Sequence, residues 1–309
     1  MKYRYEIAKQ LREAIEDHDR RYYVEDNPII SDKEYDELVR ELRELEEAYP
    51  EVRLPDSYPE RVGGEPLEKF EKVTHNPPML SMNNSYNEEE ALAFLEKTRD
   101  ALGVKLHNMS FLTELKLDGV GVSLVYEEGE LVYGATRGDG RIGENVTSNI
   151  VTIMSVPLAI SYKGHIEVRG EVVMRRSIFE KLNKQRSENG EPLFANPRNA
   201  AAGTLRQLDP KIVASRGLDF FAYQIINCEH TKVLQRQPDA LDWLKERGFQ
   251  VEPHWSYSAW DEAVTATYNM WIEKRDELDY EADGLVIKVG NFEQQEALGT
   301  TSSRPKWAM

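Results

Sequence analysis

Apolar residues recur at helical spacing over residues 3–24, where Ile7, Leu11, Ala14 and Ile15 form one stripe. The turn Asp26-Asn27-Pro28 interrupts it, and Ser31 with Glu34 then makes the capping box of a second helix ending near Tyr49-Pro50. Tyr35, Leu38, Leu42 and Leu45 line this helix, and Asp32 and Asp36 bracket Tyr35 on roughly one face. Prolines 50, 55, 59, 66, 77 and 78 and the pair Gly63-Gly64 break the pattern over residues 50–78. That stretch reads as a connector, with a domain boundary near residue 70. Asn87 and Glu90 cap a helix running to about residue 101.

Beyond this helix the period switches from helical to two. Residues 110–126, SFLTELKLDGVGVSLVY, read as a strand with Leu112, Glu114, Lys116 and Asp118 on one face and Phe111, Leu115 and Leu117 on the other. Glu128-Gly129 makes a hairpin turn into a strand over Leu131–Arg137. A further strand covers 165–174, with Glu167, Arg169 and Glu171 on one face, and Ser177 with Glu180 caps the helix after it. An apolar strand follows at 218–227, then two helices at about 237–247 and 258–277 around a short strand at 250–255. The run Asp283-Gly-Leu-Val-Ile-Lys288 closes the series as a strand with a charge at each end.

The 309 residues suffice for two compact domains or one large one. An apolar content of 40% supports a core, and 30% charged residues suit a water-exposed surface. No run approaches the roughly 18 apolar residues of a membrane span, and the N-terminus MKYRYEIAKQ lacks the apolar centre of a signal peptide. The single cysteine, Cys228, excludes an internal disulfide and a multi-cysteine zinc site, and fits a reducing cytoplasm. A net charge of −16 argues against a free-standing nucleic-acid binder. The charge is uneven: residues 1–60 hold 10 Lys/Arg against 18 Asp/Glu, whereas residues 165–216 hold 10 against 6. Any contact with DNA belongs to the second region.

Candidate chemistry centres on Glu114-Leu-Lys-Leu-Asp-Gly119, where two carboxylates flank one amine on an otherwise apolar segment. Such groups are rarely left unpaired in a core. A lysine there acts as a nucleophile only if it sheds its proton, which desolvation or a nearby cation favours and the carboxylates oppose. A salt-bridged surface strand accommodates the same residues. Gly138-Asp-Gly140-Arg-Ile-Gly143 is a literal G-x-G-x-x-G, yet a dinucleotide fold needs a parallel βαβ unit. Here the preceding strand belongs to a hairpin, and the following helix is short, polar and stopped by Pro157. Tight turning at a ligand pocket is the simpler use of these glycines. Arg198 and Arg206 sit in the small-residue run NPRNAAAGTLRQLDP; their forks suit phosphate, or they cap helix ends. Tyr223 is either a stacking platform for a base or a core tyrosine, and Lys288 either a ligand or a snorkelling strand end.

ELKLDG, ATRGDGRIGE, VRGEV, FANPRNAAAGTLRQLDP and DGLVIK, in that order, resemble the adenylylation domain of NAD-dependent DNA ligases across essentially the whole chain. The resemblance implies an α+β fold: a covalent-nucleotidyltransferase core of antiparallel-rich sheets flanked by helices, with a small helical domain before it. It implies that Lys116 attacks the α-phosphorus of NAD, releases nicotinamide mononucleotide (NMN) and becomes lysyl-AMP. Asp118 then positions the lysine or a metal, Asp283 supports the step, and Glu114 reads the adenine edge. Ser81 and Met82 line the adenosine pocket with Tyr223, Arg137 meets the ribose, Glu171 lies in the ribose and metal region, and Lys288 meets the AMP phosphate. Arg198, Arg206 and Arg275 correspond to phosphate or DNA contacts.

The run YYVEDNPIISDKEYD (22–36) resembles the family's NMN-gripping domain, which assigns Tyr22, Tyr23, Asp32, Tyr35 and Asp36 to that half of NAD. Many members carry histidine where this chain has Tyr23. The implied domains are residues 1–69, helical with a linker, and 70–309, adenylylating. The implied cofactors are NAD⁺ as substrate and Mg²⁺, with metal ligands unassigned and no zinc. The implied partner is nicked duplex DNA, met through a longer enzyme, for a cytoplasmic monomer. The family's next phosphate-binding lysine and its later domains are absent, so the chain reads as an N-terminal fragment. Two other readings are an ATP- or GTP-using relative such as an RNA ligase or capping enzyme, which lacks the 22–36 motif, and a silent NAD- or DNA-binding module.

Overall fold

The computed structural model describes residues 2–19, 29–30, 32–52, 69–83, 85, 87–104, 108–228, 234–258, 261–301 and 304–309. Helices Lys2–Asp19 and Asp32–Ala48 pack against each other, followed by a single turn at Pro50–Val52. Of the predicted stripes, Ile15 and Leu42 are buried and Leu11, Leu38 and Leu45 close over them; Ala8 and Val52, outside the stripes, are buried as well, whereas Ile7 and Ala14 are only partly so. Arg12 reaches across this seam to Glu46 at 2.7 Å, which matches its charge. Ser31, and with it the proposed cap, lies outside the described residues.

The remaining strands are β1 (Lys72–Thr74), β2 (Phe111–Leu117), β3 (Val120–Glu127), β4 (Glu130–Thr136), β5 (Ile142–Glu144), β6 (Ile166–Met174), β7 (Leu218–Ile226), β8 (Ser256–Ser258) and β9 (Ala282–Val289). They form sheets ordered β4-β3-β6-β7, β8-β2-β9 and β1-β5, and every described strand pair is antiparallel. Alternation along β2 serves several cores. Leu112 joins Val122, Leu124 and Tyr126 in the largest one. Phe111 packs with Leu95 and Met109 beneath the helix Glu88–Leu102, and Leu115 packs with Phe221, Trp271 and Tyr280. The α+β architecture and the flanking helices follow the expectation.

Several local expectations need correction. Residues 110–126 are two strands in two different sheets, broken at Asp118-Gly119. The break requires glycine, because a Cβ on Gly119 would stand 2.3 Å from the Val172 carbonyl oxygen of β6. Asp118 is therefore past the end of β2 and does not share its face by alternation. The third short strand is Ser256–Ser258, not 250–255, where Pro253 removes a ladder donor. Ser177 does not cap with Glu180. Its N–H and hydroxyl donate to the Asp279 carboxylate at 2.9 and 2.8 Å, and Arg175 holds the cap position. The connector contains β1, and its residues 53–68 lie outside the description. Gly138 and Gly140 have φ of 57° and 91° in the turn between β4 and β5, so this glycine motif opens no βαβ unit. The hairpin at Glu128-Gly129 is as predicted, with φ of 51° and 90°.

Candidate active site

The sheets enclose a cleft of about 1380 Å³ whose walls include Ser81, Met82, Glu114, Lys116, Arg137, Glu171, Tyr223 and Lys288. Strand register explains its chemistry. On β2 and β9, Lys116 lies opposite Gly284, Glu114 opposite Val286, and Leu112 opposite Lys288. Alternation puts the Glu114 and Lys116 side chains on one face two residues apart. The Lys116 ammonium donates to both oxygens of Asp283, each at 2.8 Å, with side-chain exposures of 38% and 42%. Glu114 instead accepts from Lys288 at 2.5 Å, and these two side chains are only 11% and 7% exposed.

The expected arrangement of two carboxylates flanking Lys116 is thus replaced by three separate pairs. Asp118 accepts from Arg198 at 2.9 Å, and the arginine is set on the helix Pro197–Leu205, whose first turn Asn196 caps. Lys288, expected at a phosphate, is here the buried partner of Glu114 and donates to the Tyr223 carbonyl at 3.2 Å. Its ammonium stands 5.5 Å from the Tyr223 ring centre, within cation–π range. Burial pushes the Glu114 carboxyl up, outweighing the pull of Lys288. Burial likewise raises the Tyr223 hydroxyl, with the Glu171 charge adding to it.

Glu171 does not pair with Arg169. Burial pushes its carboxyl up to about 7, against the opposing pull of Arg198, Lys116 and Arg137. Arg169 is bound to Glu167 at 2.7 Å, both side chains 6% exposed. Arg137 donates to the Ser81 hydroxyl at 2.6 Å, tying the glycine-rich turn to the opposite wall. Arg206, at the end of its helix, pairs with Glu144 at 2.8 Å on the cleft rim. Arg275 lies elsewhere, exposed beside Asp276 in a smaller depression of about 550 Å³ that also borders Asp118 and Asp283. Tyr22 and Tyr23 and the side chains of Asp32, Tyr35 and Asp36 fall outside the described residues.

Among the wall residues that the sequence pattern does not single out is Glu252. It is buried, accepting from the Tyr280 hydroxyl at 2.7 Å and lying 2.6 Å from His254 Nδ1. Its charge adds to the upward push on Glu114. An acid between Val251 and Pro253 carries no pattern that would single it out.

Among the described residues no group of three or more His, Cys, Asp or Glu is placed to hold a metal ion, so the protein alone forms no metal cage there. No described helix is long and apolar enough to cross a membrane. Chemically, the cleft offers a water-accessible amine with a releasable carboxylate partner, arginines around it, and a buried acid–lysine pair at one end. An amine so placed can attack an electrophile whose charge the arginines neutralise.

Comparison with known proteins gives two family matches. Residues 67–309 match the NAD-dependent DNA ligase adenylation domain, and residues 2–63 match the DNA ligase-like, N-terminal NAD⁺-binding domain. The DNA ligase of Anoxybacillus flavithermus is 51% identical over 99% of this chain and 45% of its own length. Those of Brevibacillus brevis and Thermotoga neapolitana are 50% and 49% identical, over 97% and 98% of this chain and 44% and 43% of theirs. The chain therefore spans under half the length of these relatives.

Proposed function

The chain belongs to the NAD-dependent DNA ligases, matching their N-terminal NAD⁺-binding and adenylation domains, and from that premise we propose that Lys116 is the residue that takes up AMP. The observation that carries this reading is the Lys116–Asp283 pair, more than a third exposed on both sides, with Lys116 on the cleft wall. Lys116 must first lose a proton, and Asp283, at 2.8 Å, is the carboxylate in reach to hold it. The free amine attacks the α-phosphorus. A phosphorus–nitrogen bond forms, the bond to the bridging oxygen breaks, and NMN departs with that electron pair on its phosphate. The product is lysyl-AMP.

Glu114, fixed by Lys288, is the acceptor for the adenine amino group, and Tyr223 supplies a face for the ring. Arg137 meets the AMP ribose, and Arg198 and Lys288 balance phosphate charge. Magnesium is commonly held by one or two carboxylates together with substrate phosphates. Asp118 and Glu171 are the carboxylates suited to such an ion, which would neutralise phosphate charge. Residues 1–69 form the domain that grips NMN through Tyr22, Tyr23, Asp32, Tyr35 and Asp36, and residues 70–309 the adenylylating domain. In a longer ligase, AMP then passes to a nick 5′-phosphate and the 3′-hydroxyl displaces it, with Arg206 and Arg275 on the DNA side. We place the protein in the cytoplasm as a monomer, its one cysteine buried.

Intact-mass measurement after incubation with NAD and Mg²⁺ tests this. The chain gains one AMP, whereas Lys116→Arg, which keeps the charge and cannot lose its proton, gains none. An adduct on the variant removes Lys116 as nucleophile, and no adduct on the parent chain removes the reaction.

A further inference from the structure

The cleft wall from Pro77 to Met82 has no regular strand, and its first two residues are prolines without N–H donors. Chain Pro77-Pro78 therefore offers only acceptors there. Arg169, buried on β6, supplies the donors. Its Nη1 donates to the Pro78 carbonyl at 3.1 Å, its Nη2 to the Pro77 carbonyl, and its Nε to Glu167 at 2.7 Å. The Ser123 hydroxyl, on β3, holds that same Glu167 oxygen at 2.7 Å. A guanidinium in this environment is costly unless its donors are matched. Here one edge meets a buried acid and the tips meet backbone. Farther along, the Met79 N–H donates to the Gly140 carbonyl at 2.8 Å, and Ser81 receives Arg137. Met79 to Met82 then face the cleft.

The fork thus ties the central sheet to a wall whose prolines cannot anchor themselves. We propose that Arg169 is a positioning residue for the nucleotide. It sets the Met79–Met82 wall, and so the affinity for the adenosine half of NAD, without touching the attacked phosphorus. Lysine at this position keeps the charge beside Glu167 but cannot span both carbonyls in a planar fork. The proposal rests on the reading that the cleft takes NAD.

The experiment uses the 309-residue chain and single-turnover AMP-adduct formation over a range of NAD concentrations. In Arg169→Lys, the NAD concentration for half-maximal rate should rise about tenfold, the scale of one lost buried hydrogen bond to a charged group. The limiting rate should stay within about twofold, since the attacking atoms are untouched. Thermal melting run alongside shows that the variant is folded at the assay temperature. A merely structural arginine would lower the melting temperature and leave the half-maximal concentration where it was, and that result, or a fall confined to the limiting rate, overturns the proposal. If Arg169→Lys does not fold, the paired change Arg169→Gln, Glu167→Gln removes the fork without leaving a lone buried charge, under the same criterion. Failure of both to fold would make Arg169 a folding residue and end the proposal. Absence of any adduct on the parent chain would instead refute the function on which the proposal stands.

Discussion

Strands β2 and β9 carry two lysine–carboxylate pairs with the residue types exchanged. In one, Glu114 of β2 meets Lys288 of β9; in the other, Lys116 of β2 meets Asp283 of β9. Distance hardly separates them, at 2.5 and 2.8 Å. Water does. The first pair is buried, so separating it strands a charge in a poorly hydrated place. The second is more than a third exposed on both sides, and water replaces whatever the partner gives up. Two lysines of one sheet are thereby assigned different work. A nucleophile must leave its counter-ion to attack, and only Lys116 can do so at small cost. Lys288 is paired with Glu114 where water cannot replace it.

The largest expected effect lies in the buried pair. Lys288→Met leaves Glu114 without its cation and should destabilise the chain by about 3–5 kcal/mol in denaturant melts. Adding Glu114→Leu should restore most of that, because removing both charges removes the penalty. A single variant that melts like the parent would show that the two pairs are equivalent after all. Asp283→Asn, in the exposed pair, should change stability by less than about 1 kcal/mol. It should nonetheless slow AMP-adduct formation by about a hundredfold, as expected for loss of a proton acceptor. Large unfolding with an intact rate would invert the comparison.

A further effect concerns pH and Glu171, which is partly buried. Its carboxyl is pushed up to about 7 from an ordinary 4.5. Between these values the unfolded chain has released the proton and the native one keeps it, so this group's contribution to stability falls as pH rises through that window. Glu171→Gln cannot titrate. The melting temperature of the parent minus that of the variant should therefore decline from pH 4.5 to 7 and level off above. A difference that stays flat across the window would place Glu171 in an ordinary, hydrated environment.

Much of this was legible from residue order. Period-two stretches located β3, β6, β7 and β9, and helical stripes found both N-terminal helices and some of the residues that bury between them, Ile15 and Leu42 among them. What failed were matters decided across the chain. The 110–126 stretch looks continuous because Val and Leu run on either side of Gly119 and Gly121, and nothing local says that Gly119 passes against Val172 of another strand. The partner of Lys116 is 167 residues away, so the nearer carboxylates Glu114 and Asp118 drew attention first. Strand register brings Glu114 to Lys288, and the helix Pro197–Leu205 brings Arg198 to Asp118. Ser177 shows the same at a helix start: Glu180 fits the local box, yet Asp279 from a distant turn takes the hydroxyl. Glu252 had no signal at all, since its importance comes only from the wall it joins.

The central claim is that exposure, rather than residue type or strand, selects the lysine that reacts. Proteolytic mapping of the chain after incubation with NAD and Mg²⁺, by mass spectrometry gentle enough to keep a phosphoramidate, tests it most directly. The account predicts AMP on the peptide containing Lys116 and on no peptide containing Lys288. AMP on Lys288, or divided between the two, would contradict it.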